Sequence, residues 1–469
     1  MLDAVVDDLV VARRVGRRLG LIDLDGRVSS RIDGDVILVT PGPRVVSPAR
    51  LSSADILRVR LDGEVLEGSP ANLPADVALD LAIYRARPDI HAIATGSPTT
   101  AMAFGSVGRE VLPLTHSWAE FAHAGTAWLD QTVVAPDADT ATAAARQIGA
   151  CHYVHVPGIA VLALGTAPID ALRRLDALDY LARLTALATD LNPSPIVVTE
   201  DQVRDIDRQR PVEAVPSRDY RRYYRSLDRE PPPRPEERWQ VADDEGRIRR
   251  DVATACRLLG AAELASFFEH VSHRIPGRPD RFAMSPAKDF NAMTPDDVGI
   301  LSTEGDCATL SGPLPAAPFR WYHRDLLERR PDVMAIAHTH ELAGRAFILS
   351  GVTTPPVHRA AATGLTAGMP PVFGTPSLLF SQEHRRAVLD LLGDGPWVHA
   401  LAHGTDFVAA DIRTATIRAI SWDRHLRFTA LARGLGEPKR LGHATLDALS
   451  RHGGDAAAWW DDLVDALPS

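Results

Sequence analysis

His338 and His340 stand two residues apart in "RPDVMAIAHTH", a run that reads as a buried β-strand. Residues i and i+2 of a strand project from one face, so both imidazoles point the same way. His323 lies fifteen residues before His338 on a predicted helix. His403 sits at the end of another predicted strand in "HALAHGTDFVA" and is followed directly by Gly404. Two same-face histidines and a distant third meet the requirement of a three-histidine metal site. Neutral imidazoles suit zinc, and also iron, cobalt, nickel or manganese, and leave positions open for substrate. The same spacing fits hydrogen-bonded core histidines, and spacing alone leaves both readings standing.

The elements that must position these groups occur twice. "RPDIHAIATGS" from Arg87 repeats "RPDVMAIAHTH" from Arg330, with Thr95 and Ser97 in place of the two histidines. "VSSR" (28–31) matches "VSHR" (271–274), "LPLTH" (112–116) matches "TPPVH" (354–358), and "RLTALA" (183–188) matches "RFTALA" (427–432). The offset stays at about 242 to 245, so two whole domains repeat. We expect domains at 1–195 and 241–469, with a Pro/Arg-rich linker over 196–240. "PPPRP" there favours an extended path, and the basic, aromatic "DYRRYYRSLDR" reads as an amphipathic segment packed on the domains. Each half opens with a helix at apolar 3.6-residue spacing, continues through short β-rich runs and ends in a long helix. That alternation predicts an α/β fold, a sheet covered by helices.

Bulk properties narrow the class. The chain has 469 residues, 45% hydrophobic and 24% charged, as in an ordinary globular protein. A formal net charge of −10 argues against nucleic-acid binding, which needs a basic field. Cys151, Cys256 and Cys307 are odd in number and far apart, which suggests a reducing compartment and no disulfide framework. The N-terminus lacks the basic start of a signal peptide, and no run reaches the roughly 20 apolar residues of a membrane span. A cytoplasmic protein without membrane partners is the expectation.

Four motifs occur in order in the second half: "HVSHRIPGRPDRFAMSP", "FRWYH…RRPDVMAIAHTH", "PPVH…AAATG" and "AHGTDFVAA". In this order they resemble the class II aldolase/adducin family over nearly all of 245–435, and the first half resembles it over about 5–190. The resemblance implies two tandem αβα domains, each a central, mainly antiparallel sheet covered by helices. It also implies that His338, His340 and His403 hold a divalent metal, zinc first, with iron, manganese or cobalt as alternatives. In the first half Thr95, Ser97 and either Pro157 or Ile159 take those positions, and Asp80 replaces His323. The first domain is therefore expected to be metal-free.

The second half departs from the family's sugar-phosphate aldolases. Their acid/base glutamate is Phe319 here, their phosphate-binding serines are Ala317 and Pro318, the asparagine of their Gly-Asn-Val-Ser motif is His270, and their proton-donating tyrosine is Arg359. A Lewis acid without that base suits decarboxylation, which abstracts no proton first. On this reading the chain is a metal-dependent carbon–carbon lyase, a decarboxylase of a hydroxy, oxo or aromatic carboxylic acid rather than an aldolase. Arg359 would grip the carboxylate, and His270, His273, His323 or Glu341 would protonate the carbanion. Phe319, His273 and His358 are the substrate-binding candidates. His358, opposite His116, also reads as a structural histidine. An iron- and oxygen-dependent oxygenase and a non-catalytic adducin-like scaffold are the alternatives that the family implies. Its enzymes commonly form tetramers, so a homodimer with four domains is expected, the degenerate domain walling the metal site.

Overall fold

The computed structural model describes residues 2–114, 125–202, 216–229, 231–265, 269–312, 319–362, 369–374, 379, 381–401 and 403–467. His116, Ala317, Pro318 and the linker stretch 203–215 lie outside these residues. The chain forms two compact units. The first comprises Met1–Pro231, Val357–Arg359 and Phe428–Ala458; the second comprises Pro232–Pro356, Ala360–Arg427 and Trp459–Ser469. The short segments join the first unit because Val357, Phe428 and Ala432 are buried in its core.

Each unit carries one eight-stranded sheet. In the first, β1 (Arg27–Asp33), β2 (Val36–Val39), β3 (Leu57–Arg60), β4 (Val65–Glu67), β5 (Ala92–Gly96), β6 (Thr126–Trp128), β7 (Tyr153–Val156) and β8 (Ala160–Gly165) take the order β4-β3-β2-β1-β5-β8-β7-β6. In the second, β9 (His270–Ile275), β10 (Arg278–Met284), β11 (Gly299–Ser302), β12 (Thr309–Ser311), β13 (Ala335–Thr339), β14 (Val372–Phe373), β15 (Trp397–Ala400) and β16 (Gly404–Ala409) repeat it as β12-β11-β10-β9-β13-β16-β15-β14. All pairings are antiparallel except β6 with β7 and β14 with β15, which are parallel. The expected helix-covered, mainly antiparallel sheet is therefore present twice.

The repeated Arg-Pro-Asp lead-in has a structural task. Helix Arg320–Arg329 ends at Arg330, whose Nε and Nη2 donate to both oxygens of Asp332 at 2.8 and 2.7 Å, while Nη1 donates to Gly393 O at 2.7 Å. Arg87 does the same with Asp89 at 2.8 and 2.6 Å and with Gly149 O at 2.7 Å. Gly149 and Gly393 each end a helix at positive φ, 55° and 50°, where a side chain would be strained. Both aspartates are more than half exposed, so each ion pair contributes no more than about 1 kcal/mol. What the pair fixes is where β5 and β13 begin.

β5 and β13 are buried along their whole length and paired on both sides. The basic, aromatic segment lies in helix Pro216–Leu227, where Tyr224 is buried in the first core and donates to Asp176 at 2.7 Å. Its Arg221 and Arg225 pair with Asp8 at 2.8 Å each. Those cations serve internal contacts within the first unit. Among the described residues no helix is long and apolar enough to cross a membrane.

Candidate metal centre of the second unit

β13 carries His338 at its next-to-last position and is followed by His340, and β16 begins directly after His403. The register pairs Thr339 with Thr405, which brings the start of β16 to the end of β13. One nitrogen each of His338, His340 and His403 lies within 4.8 Å of the others. Gly404 permits this approach. A Cβ there would lie 2.4 Å from Thr339 O and 2.6 Å from the His340 ring.

Hydrogen bonds set the tautomers. His338 Nδ1 donates to Asp406 Oδ1 at 2.9 Å, and His340 Nδ1 donates to Glu269 Oε1 at 2.9 Å. Each neutral ring then keeps its Nε2 lone pair, and the two Nε2 atoms face each other at 3.0 Å. Two acceptor nitrogens that close repel unless a cation sits on both, so the arrangement fits a metal ion. The carboxylate behind each imidazole is the usual support of a ligating histidine. Burial, and then the neighbouring His340, drives the His338 pKa well down, which keeps the ring neutral and able to ligate.

A second chain of side chains lies on the same face. His270 is the Cα partner of His338 across β9 and β13, and its ring stacks on that of His338 at 4.4 Å. His270 Nδ1 lies 2.6 Å from His323 Nε2, and His323 Nδ1 lies 2.6 Å from Ser272 Oγ. If Ser272 donates, His323 carries its proton on Nε2 and His270 carries its own on Nε2. That His270 nitrogen is buried without a hydrogen-bond partner among the described residues. Burial lowers the pKa of His323 to about 3 and that of His270 well below its ordinary value. Phe319 packs beside them, its ring 4.9 Å from His270 and 5.7 Å from His403.

Four of the expected site residues are placed elsewhere. Glu341 lies beyond the end of β13, at the N-terminus of helix Leu342–Ser350. Its carboxyl accepts from Thr339 Oγ1 at 2.6 Å and from Thr405 Oγ1, and burial raises it to about 7. His273 has the wrong parity on β9 to join His270, and its Nδ1 bonds the carbonyl of Arg274. Arg359 belongs to the first unit, paired with Asp25 at 2.8 Å. His358 is in that unit too, its ring 4.5 Å from Phe428. His323, His270, Phe319, His338, His340 and His403 are brought together. Sequence reasoning missed Asp406 and Glu269. Parity could have found Asp406, which pairs with His338.

The first unit holds different groups in the same register. Arg27 is the Cα partner of Thr95, as His270 is of His338. Arg27 Nε and Nη2 donate to Asp80 at 3.1 and 2.5 Å, and Ser29 Oγ donates to Asp80 at 2.7 Å. A Ser–Asp–Arg chain thus replaces Ser–His–His. Val161 pairs with Gly96 as Thr405 pairs with Thr339, so Ile159, not Pro157, takes the place of His403. No imidazole stands at the three ligand positions.

Comparison with known proteins agrees with the repeat. The family described as "Class II Aldolase and Adducin N-terminal domain" matches residues 9–186 and 250–429. A 3,4-dihydroxyphthalate decarboxylase of Arthrobacter keyseri is 31% identical over 189 residues, 37% of this chain and 74% of that protein. An L-ribulose-5-phosphate 4-epimerase of Salmonella paratyphi B is 26% identical over 187 residues, 38% of this chain and 82% of that protein. A solved aldolase II superfamily protein from Pseudomonas syringae is 17% identical and covers 48% of this chain and 92% of its own, with a TM-score of 0.42.

Proposed function

The chain belongs to the class II aldolase and adducin family, and we propose that its second unit is a metal-dependent lyase that decarboxylates a hydroxylated aromatic or oxo acid. His338, His340 and His403 would hold the ion, zinc first, with iron, manganese or cobalt as alternatives. The ion would supply Lewis acidity toward a substrate oxygen. The observation that carries the reading is which groups surround the cluster. The carboxylates that bond its imidazoles, Asp406 and Glu269, serve to orient His338 and His340. The family aldolases' acid/base position is Phe319. Among the described residues no base is thereby set up to abstract a carbon-bound proton, whereas His270 Nε2, with Ser272 donating to His323, is a donor beside the cluster.

In the proposed reaction the bond between the carboxyl and the adjacent carbon breaks and carbon dioxide leaves. The electron pair stays on that carbon and takes the Nε2 proton of the neutral His270 ring. A water molecule returns a proton to that nitrogen, so that the hydroxide left over combines with carbon dioxide as bicarbonate. His323 and Ser272 hold the ring in the tautomer that donates. Phe319 gives an apolar wall suited to a ring substrate. The 3,4-dihydroxyphthalate decarboxylases among the relatives support the same direction. A homodimer, with a small carboxylic acid as substrate, remains part of the proposal.

The test is carbon dioxide release from 3,4-dihydroxyphthalate and other ortho-dihydroxylated aromatic acids, in air and under nitrogen. Release that is independent of oxygen and abolished by His338→Ala is expected. No release from any of these acids, or a requirement for dioxygen, would overturn the reading.

A further inference from the structure

The first unit has lost the imidazoles but keeps a cleft at the same place. The cleft opens to solvent and is lined by Thr95 and Ile159, which stand where His338 and His403 stand in the other sheet. Its polar end holds Arg359, Asp25 and Asp76, and its walls include Val133, Leu162 and Leu449.

The polar groups there are only partly used. Thr95 is 3% exposed, and its Oγ1 has no hydrogen-bond partner among the described residues. Leaving a buried hydroxyl unpaired is unfavourable, and a guest that hydrogen-bonds to it recovers that cost. Arg359, its side chain 13% exposed, meets Asp25 at 2.8 Å and donates through Nη1 to Ile159 O at 3.2 Å. A guanidinium has five N–H donors, more than these two partners take up. Asp76 pairs with Arg27 at 2.5 Å, and its side chain is 30% exposed.

The carboxylates facing the cleft are already matched, Asp25 by Arg359 and Asp76 by Arg27, and His452 also lines it. A carboxylate guest would meet the two aspartates, and an ammonium would meet the guanidinium. A hydroxyl suits both, since it can accept from Arg359 and donate to Asp76. We propose that the first unit binds, without metal, an uncharged small molecule with an apolar body and a hydroxyl group. The second copy of the fold is then a separate binding domain and more than a remnant of a catalytic one.

The experiment titrates 4-methylphenol against the full chain by ligand-observed NMR, with 4-methylbenzoate and 4-methylbenzylamine as charged counterparts. Saturable binding of the phenol is expected, with both charged analogues about tenfold weaker or more. Thr95→Val should weaken it about fivefold or more by removing the unpaired hydroxyl. Val134→Trp, at the half-buried rim of the cleft, should block it by volume. His338→Ala should leave it unchanged, which separates this site from the metal centre. Absence of saturable binding would overturn the proposal. So would binding that survives both first-unit substitutions, loss in His338→Ala, or a charged analogue that binds as tightly as the phenol.

Discussion

The imidazole of His270 lies on that of His338, ring centroids 4.4 Å apart and planes at 11°, because the two residues are Cα partners in adjacent strands. One ring would ligate and the other would donate a proton, and the backbone register fixes both at once. His270→Ala should therefore keep the metal and lower kcat by about 10²- to 10⁴-fold, the usual range for a lost general acid. Metal analysis beside steady-state rates checks this. Parallel loss of metal would instead make His270 a support of the ligand set.

Asp406 is buried and bonds His338 from behind. Asp406→Ala should weaken metal binding by about 10- to 100-fold, as losses of such outer partners do. Competition with a chelator measures it. An unchanged affinity would mean that the packing of β13 alone orients His338.

Gly404→Ala is the smallest change expected to disable the centre. Its methyl group would press on Thr339 O and on the His340 ring, and the ends of β13 and β16 would have to part. Metal stoichiometry should fall while the far-UV circular dichroism stays native. Full metal loading in this variant would show that the two strand ends have slack.

In the first unit, Arg27 and Asp80 are both buried and bonded through two contacts. Asp76 still pairs with Arg27 at 2.5 Å, so removing Asp80 leaves the guanidinium partly compensated and costs about 2–3 kcal/mol, short of the ~3–5 kcal/mol of a fully orphaned buried charge. Asp80→Ala should shift an early denaturant transition by that amount and leave the second unit's metal bound. A shift below about 1 kcal/mol would mean that water reaches Arg27.

Much of this was legible in sequence. The duplication, the same-face pair His338 and His340, the distant His403 and the missing imidazoles of the first copy all follow from repeat and parity. Glu341 was harder to place, because it follows the end of β13 and its carboxyl turns to Thr339 and Thr405. Arg359 and His358 could not be placed, because their partners Asp25 and Phe428 are set by tertiary packing far along the chain. Ser29, Asp80 and Arg27 form a chain that becomes visible only when β1 is laid beside β5.

The most direct measurement is the metal content of the full chain by elemental analysis after dialysis, for wild type, His338→Ala and Thr95→Ala. The account predicts about one divalent ion per chain in wild type and in Thr95→Ala, and none in His338→Ala, since among the described residues three imidazoles converge at the second sheet alone. Two ions per chain, or an ion retained by His338→Ala, would contradict it.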